Sequence, residues 1–586
     1  MPMPSDDIQL RRLDLRLPAT NRLVRAFLAD ASLTLDEDVS LFVGLFDADD
    51  RLLGCGGLDG NVMKCLALSE EARGSGASAR LISHLMSAAF DQGQTNVRVF
   101  TKPEYKDLFR SLGFSLCGEG SRAVLMESDG RELRKYCRYL SEHRADGVVI
   151  VHADPLTRGH LHLIAQAAAQ CRRLAVIPVG QHKTSAFPYA DRTAMLRAAT
   201  SHLDNVDLLE GSDYAVSQLS FPSYFLKAAG DVSEQQAAID LDIFCRHLAP
   251  SLGCLRRFVG TEPTDELTAQ YNNVMQRLLP EHGIEVVEVE RLTDSAGPIS
   301  ASRVRRALQE GKLREALPLV PTTDTPWLLA YLAVRALRKE LALSPKPGLV
   351  DRFDSGSHTD MDFALMTRSI DSLHDFFTRT AVLGFNEESL TAESLRSLGI
   401  QAEAAMMAAT GGVNTHRGAI FSLGLAVAAA ARLLSGRSSS TLSGEIAALA
   451  SQFKPAGGTH GQAVHHRYGT MGALENAQTG YAQLFRSWLP FYQNSQKTDA
   501  DCLRLLMRII AELDDSNAIY RAGLPAANEA RRKAAQLADG DCSREALERL
   551  NEDFKRQHIS HGGAADMLAL TFFADSISLT PNTLNY

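Results

Sequence analysis

The sequence lacks an excess of positive charge: 61 lysines and arginines stand against 70 aspartates and glutamates, a formal net charge of −9. A nucleic-acid-binding surface needs a basic patch, so no nucleic acid is expected among the partners. Paired cysteines are lacking too. The nine cysteines, at 55, 65, 117, 137, 171, 245, 254, 502 and 542, include no CxxC pair. They are too scattered for a zinc site or a disulfide framework and suggest a reducing cytosol. The opening MPMPSDDIQLRRLD has no apolar core, so no signal peptide is read there. The most hydrophobic run, Gly418 to Ala431 between Arg417 and Arg432, is rich in small residues and too short to span a bilayer. It reads as a buried helix. No membrane partner is expected, and the location expected is cytoplasmic.

What is present is a composition, 45% hydrophobic and 22% charged, suited to several buried cores. The length of 586 residues gives a prior of three or four domains. The stretch Val148 to Ile164, VVIVHADPLTRGHLHLI, opens as a short β-branched strand that Asp154-Pro155 ends. Thr157, Gly159 and His160 then introduce apolar residues at helical spacing. Backbone N–H groups at a helix start bind anions, Gly159 lets a phosphate approach, and His160 adds a charge-assisted hydrogen bond. Some 140 residues on, Ile299-Ser300-Ala301-Ser302-Arg303-Val304-Arg305 begins another helix with two hydroxyls and an arginine. Taken alone, each serine is an ordinary N-cap.

The two elements resemble the (H/T)xGH and ISxSxxR signatures of the nucleotidyltransferase superfamily, in which a carboxylate or phosphate attacks the α-phosphate of ATP. The resemblance implies a Rossmann-like α/β domain. It implies Thr157 and His160 as catalytic contacts to the α-phosphoryl group, and Gly159, Ser300, Ser302 and Arg305 as ATP-binding. Lys183 and Arg192 are softer ATP-binding candidates.

Ahead of this lies a different pattern. Ser40 to Phe46 and LLGCGGL are strand-like, Asn61 to Leu68 leads into Arg73-Gly74-Ser75-Gly76-Ala77, and an amphipathic helix follows with Leu81, Leu85, Met86 and Phe90. Strand, glycine-rich loop and helix suggest a pyrophosphate cradle. The loop, with Tyr105 to Phe114 (YKDLFRSLGF), resembles the GCN5-related N-acetyltransferases. Ser78 departs from that motif and no general base is evident. The expectation is therefore an acetyltransferase-like α+β domain that binds a pantetheine arm through Arg73, Gly74 and Gly76 without transferring an acyl group to an amine. DPLTRGH, FPYADR, FPSYFLKA, RFVGTEPTDELTAQYN and ISASRVR behind such a domain are similar to the [citrate (pro-3S)-lyase] ligase family, over roughly residues 1 to 320. That family joins acetate to a thiol at the expense of ATP.

Pro318 to Pro326 is rich in proline and threonine and reads as a linker. Beyond Trp327 strand patterns almost vanish, and helical segments are expected at 327–342, 362–383, 395–409, 418–435, 441–452, 500–513 and 526–538. Polar clusters lie between them: SPKPGLVD (344–351), HTDMDF (358–363), GVNTHRG (412–418), GTHG (458–461), Asp514-Asp515-Ser516-Asn517 with Arg521, and SHGGAAD (560–566). Glycine plus cation at helix starts indicates phosphate, and the acidic groups suit magnesium. These clusters resemble triphosphoribosyl-dephospho-CoA synthase, over about 327 to 586. Two places depart: Arg521-Ala522-Gly523 stands for the family's RGG, and Ser560-His561-Gly562-Gly563 for its SPGG. Ala522 takes positive φ less easily than glycine.

The fold class expected is multidomain α/β plus all-α: an acetyltransferase-like domain at 1–140, a nucleotidyltransferase-like ligase domain at 141–322 and an all-α synthase domain at 323–586. The resemblances imply two reactions of citrate lyase maturation. One acetylates the prosthetic-group thiol of the citrate lyase acyl carrier protein by way of acetyl-AMP, with acetate and ATP as substrates. The other makes 2′-(5″-triphosphoribosyl)-3′-dephospho-CoA from ATP and dephospho-CoA, releasing adenine. For the second, Asp351, Asp362 and Asp515 are the catalytic candidates, Lys346, Arg417 and Arg521 the phosphate-binding ones, and Asp360, Asp515 and Asp566 the magnesium ligands; the general base is unassigned. Two alternatives stay open. One is an adenylyltransferase of the pantetheine-phosphate type fused to a malonate-decarboxylase-type synthase. The other is a non-catalytic scaffold that docks carrier proteins.

Overall fold

The computed structural model describes residues 8–36, 38–180, 185–214, 229–262, 266–454 and 467–578. Contacts divide the chain into two units, Met1–Asp154 with Gly159–Ile299, and Pro155–Arg158 with Ser300–Tyr586.

The first unit holds two larger sheets. Strands β1 (Gln9–Arg12), β2 (Leu41–Phe46), β3 (Leu52–Asp59), β4 (Val62–Leu68), β5 (Arg98–Thr101), β6 (Phe114–Glu119) and β7 (Val124–Ser128) form a mixed seven-stranded sheet in the order β1-β2-β3-β4-β5-β7-β6. The β2 run, and the β3 run up to Leu58, are apolar because both faces are covered. Phe42, Cys55 and Cys65 pack with Val24 and Leu28 of helix Pro18–Asp30, while Val43, Leu45 and Met63 pack with Leu81 and Leu85 of helix Ala77–Asp91. Every ladder is antiparallel except β4 with β5, which pairs only Val62 with Arg98 and Met63 with Val99. The two strands therefore separate beyond Met63, and the Arg73–Ala77 loop leaves β4 on the separated side.

Strands β8 (Gly147–Val151), β9 (Leu174–Pro178), β10 (Val206–Leu208), β11 (Arg256–Gly260) and β12 (Glu285–Val289) form a five-stranded sheet, parallel throughout, in the order β10-β9-β8-β11-β12. Chain order reverses between β8 and β11. Open α/β sheets bind ligands outside the carboxyl ends of their strands at such a reversal. The TxGH turn leaves the carboxyl end of β8.

The second unit is helical. Its central helix is Arg417–Leu434, long and apolar enough to cross a bilayer by length and composition alone, yet 72% buried over its apolar window. Its alanines let Thr325–Ala342, His374–Asn386 and Gly562–Ile577 pack closely around it. The helix expected at 362–383 is two, Phe363–Ser372 and His374–Asn386, joined at Leu373. Ala473–Gln478, Ser516–Ala522 and Arg544–Arg556 are helices in addition to those the periodicity predicts. The last is highly charged and buries only Ala546, Leu547, Leu550, Asn551 and Phe554. The stretch read as a linker is folded. Leu317–Leu319 and Thr322–Asp324 are single 3₁₀ turns, and Leu319, Val320 and Asp324 are buried. All nine cysteines are unpaired.

Candidate active sites

The glycine-rich loop ends in helix Ala77–Asp91, whose first turn no side chain caps. Gly74 and Gly76 have φ of 78° and 83°, and a Cβ at either would meet nothing within 4 Å. Glycine is needed there for backbone conformation, not for space. Arg73, Gly74 and Gly76 are exposed.

At the carboxyl end of β8 the chain turns through Ala153, at φ 46°, into Asp154. Asp154 is buried and accepts from the N–H groups of Ala186 (2.9 Å) and Phe187 (2.8 Å), which pins the Phe187-Pro188-Tyr189 segment beside the turn. Thr157 is buried, and Gly159 and His160 fall in the first turn of helix Arg158–Ala168. Arg192 is fully buried. Its guanidinium donates to the carbonyls of His152 (2.6 Å), Val179 (3.0 Å) and Gly180 (2.8 Å). Arg192 therefore fastens the loops leaving two adjacent strands, where sequence reading had placed a phosphate contact. Lys183 and the FPSYFLK segment lie outside the described residues.

Ser300 caps helix Ala301–Gln309, its Oγ accepting from the N–H of Arg303 and lying 2.9 Å from the Oγ of Ser302. Arg305 is half-buried on the same helix. In the second unit, Arg158 donates to the carbonyl of Pro318 at 3.2 Å, which ties the turn carrying Thr157 to the segment that follows this helix.

The interhelical clusters of the second unit separate into two kinds. The outer ones are exposed: Asp360, Asp362, Arg417 and Arg521. Asp362 accepts from the N–H of Leu365 (2.7 Å) as a helix cap, and Arg417 pairs with Glu403 at 3.1 Å. Arg521 ends helix Ser516–Ala522 beside His358, whose imidazole is pushed down by burial and by that arginine. The departure at 522 is absorbed without strain, because Ala522 is helical and the positive φ, 82°, falls on Gly523.

The inner ones are buried and charged. Lys346 Nζ lies 2.5 Å from Glu340 Oε1, and the Lys346 N–H donates to Asp351 at 3.1 Å. Asp351 also accepts from the N–H groups of Phe353 and Asp354, which makes it the organiser of a tight loop. As placed, Lys346 neutralises a carboxylate in the interior instead of facing a phosphate. His416 is buried on Ser369, 2.7 Å from its Oγ, and its pKa falls to about 4 through burial and the nearby Lys346. Asp515 is buried, accepts from the N–H of Ala564 (3.1 Å), and is pushed up by burial. Asp566 is pushed up strongly by burial, by Asp515 and by Glu340. Glu340, Ser369 and His416 are not among the candidates the sequence offers. His416 stood within the quoted GVNTHRG motif, and its place just ahead of an apolar helix was the signal available.

Asp515 and Asp566 line a cleft with about 450 Å³ of empty space, its open mouth included, together with Gly418, Ser422, Asn476 and Tyr481. A Cβ on Gly418 would stand 1.9 Å from Asp566 Oδ2 and one on Gly563 3.0 Å from Asp515 Oδ2. At both positions the carboxylate occupies the room that glycine leaves. Among the described residues no three His, Cys, Asp or Glu side chains are grouped to hold a metal ion, so the expected set of Asp360, Asp515 and Asp566 is not assembled. Asp515 with Asp566 is a two-carboxylate oxygen donor set, of the kind that holds magnesium when substrate phosphates complete the coordination. The pair fits that ion. Gly458 to Gly461 lies outside the described residues.

Comparison with known proteins divides the chain near residues 326–328, so the ligase match runs into the second unit. Residues 146–328 match the family model described as the citrate lyase ligase C-terminal domain. Residues 326–583 match that of the ATP:dephospho-CoA triphosphoribosyl transferase. The [citrate [pro-3S]-lyase] ligase of Escherichia coli K12 is 39% identical over 315 residues, 52% of this chain and 89% of its own length. The 2-(5″-triphosphoribosyl)-3′-dephosphocoenzyme-A synthase of Klebsiella pneumoniae is 38% identical over 280 residues, 45% of this chain and 100% of its own. Among solved structures, a putative acyl-CoA N-acyltransferase from Klebsiella pneumoniae aligns at 16% identity with 21% of the chain and 96% of its own, at a TM-score of 0.18.

Proposed function

The chain belongs to the citrate lyase ligase family through its first half and to the triphosphoribosyl-dephospho-CoA synthase family through its second, and from that premise we propose that it carries out two steps of citrate lyase maturation. What carries the reading is that the two matches follow one another along one chain, each over nearly the whole of its relative. The second half makes the precursor of the prosthetic group whose thiol the first half acetylates. We take the working domains as 1–140, 141–322 and 323–586, in a cytoplasmic enzyme.

In the ligase half, acetate attacks the α-phosphorus of ATP, giving acetyl-AMP and pyrophosphate. The prosthetic-group thiol of the citrate lyase acyl carrier protein then takes the acetyl group and AMP leaves. Catalysis of this kind is positioning plus stabilisation of charge. On a nucleotidyltransferase-like sheet, Thr157 and His160 hold the α-phosphoryl oxygens, with Gly159 giving the backbone close approach. Ser300, Ser302 and Arg305 hold the departing pyrophosphate. Arg192 and Asp154 act one step back, fixing the loops that carry the contacts. The N–H groups after Gly76, at the start of helix Ala77–Asp91, receive the phosphates of the pantetheine arm.

In the synthase half, the 2′-hydroxyl of dephospho-CoA replaces adenine at C1 of the ATP ribose. Such a displacement passes through an oxocarbenium-like state that a nearby carboxylate stabilises. The burial of Asp515 and Asp566 on one cleft supports giving them that work, with the exposed Arg417 and Arg521 binding phosphate. Magnesium, when bound, neutralises triphosphate charge, and Asp515 and Asp566 would hold it.

The reading is tested by acetate-dependent exchange of labelled pyrophosphate into ATP. Exchange with AMP as the later product supports it; a dinucleotide product in place of AMP makes the first half an adenylyltransferase. No exchange at all leaves the first half a docking scaffold.

A further inference from the structure

Two hydroxyls in the synthase half are buried without any hydrogen-bond partner among the described residues. The Ser422 side chain is on the central helix and Tyr481 follows helix Ala473–Gln478; their residues are 3% and 4% exposed. Both line the cleft that holds Asp515 and Asp566. Burial of an unpaired hydroxyl is a standing cost, and two on one cleft mark a place where a ligand completes them. The other lining groups narrow the ligand. Phe421, Met471 and Met567 offer an aromatic face and two polarisable thioethers, and Asn476 offers an amide. Phe421 is fixed edge-on to Phe453, with ring centroids 5.8 Å apart. A flat, weakly polar ring with donors and acceptors around its edge suits such a lining, and an asparagine amide matches the N6/N7 edge of adenine.

We propose that this cleft seats an adenine ring, with Ser422, Asn476 and Tyr481 meeting its edge. The inference rests on the synthase reading of this half and assigns it a base subsite. Two substrates bring adenine, ATP and dephospho-CoA. If the ring is that of ATP, its C1–N9 bond breaks within reach of Asp515 and Asp566, which line the same cleft. The hydroxyl oxygen of dephospho-CoA forms the new bond to C1, and the proton that hydroxyl loses is balanced by one gained on the departing adenine.

The test uses the full chain and measures adenine release while ATP and dephospho-CoA are varied in turn. Tyr481→Phe, Ser422→Ala and Asn476→Leu are each expected to raise the KM of one substrate about tenfold, with a smaller change in kcat and with weaker discrimination of ATP from GTP where ATP is affected. A rise confined to ATP makes this the leaving-base subsite; a rise confined to dephospho-CoA makes it the acceptor's. A second measurement needs no variant. Met471 is 41% exposed at the cleft, so millimolar adenine should slow its oxidation by hydrogen peroxide, read by peptide mass spectrometry. Unchanged KM values together with unprotected Met471, in a wild-type chain that still releases adenine, overturn the subsite and leave the synthase reading intact. A wild-type chain that releases no adenine overturns both.

Discussion

Gly418→Ala is the most sensitive perturbation of the synthase half. The added Cβ would stand 1.9 Å from Asp566 Oδ2, where ordinary contact needs about 3.4 Å, so the carboxylate or the helix start must shift by roughly 1.5 Å. Overpacking of this kind costs about 1–3 kcal/mol of stability, and a displacement near 1 Å at a reacting group costs on the order of 100-fold in rate. Adenine release from ATP and dephospho-CoA should therefore fall by about two orders of magnitude, while acetate-dependent pyrophosphate exchange stays at the wild-type level. Asp566→Ala in the same background removes the clash. It should recover most of the lost stability and none of the activity, so a double-mutant cycle separates strain from chemistry. Wild-type adenine release by Gly418→Ala would refute the reasoning, because the carboxylate could not then be working where it is placed.

Three further outcomes follow from buried groups. Asp324 is fully buried, its Oδ2 has no partner among the described residues, and burial raises its pKa from 3.8 to about 8. The folded state thus keeps a proton that the unfolded state loses, and stability falls as the pH climbs from about 4 to about 8, by up to ~5 kcal/mol. Asp324→Asn should melt higher than wild type at pH 8 and show little difference at pH 4; equal melting at both would show the group is not desolvated. Lys346→Met leaves Glu340 buried and unpaired and should cost about 3–5 kcal/mol by denaturant unfolding of this half, whereas Lys346→Met with Glu340→Leu should cost much less. Arg192→Lys cannot reach three carbonyls and should abolish acetate-dependent exchange while adenine release continues.

Much of this was legible in the sequence where one short motif fixes both local geometry and chemistry. The β8 strand, the turn at Asp154-Pro155 and the helix after Thr157 could be read from β-branching, proline and spacing. The apolar run after Arg417 was recognisable as an interior helix because its small residues suit close packing more than lipid. Side-chain partners were not legible. Lys346 and Arg192 look like free cations in one dimension; only the fold reveals that Glu340 meets one and three carbonyls the other. Tyr481 carries no motif and Ser422 lies in the GVNTHRGAIFSLG run without a role assigned to it; they meet in one cleft because Arg417–Leu434 and the turn at Tyr481 are brought together across some 60 residues of chain. The linker reading failed for a related reason: proline and threonine fit a tether and a pair of 3₁₀ turns equally well, and burial of Leu319 and Val320 decides between them.

The central claim is that one polypeptide cleaves ATP at two separate places, at phosphorus in one half and at the ribose carbon in the other. The direct measurement is a product assay by mass spectrometry on His160→Ala and Asp515→Asn, each supplied with ATP, acetate, acyl carrier protein and dephospho-CoA. The account predicts that His160→Ala still releases adenine but no AMP, and that Asp515→Asn still releases AMP but no adenine. Loss of both products from either well-folded variant would contradict it.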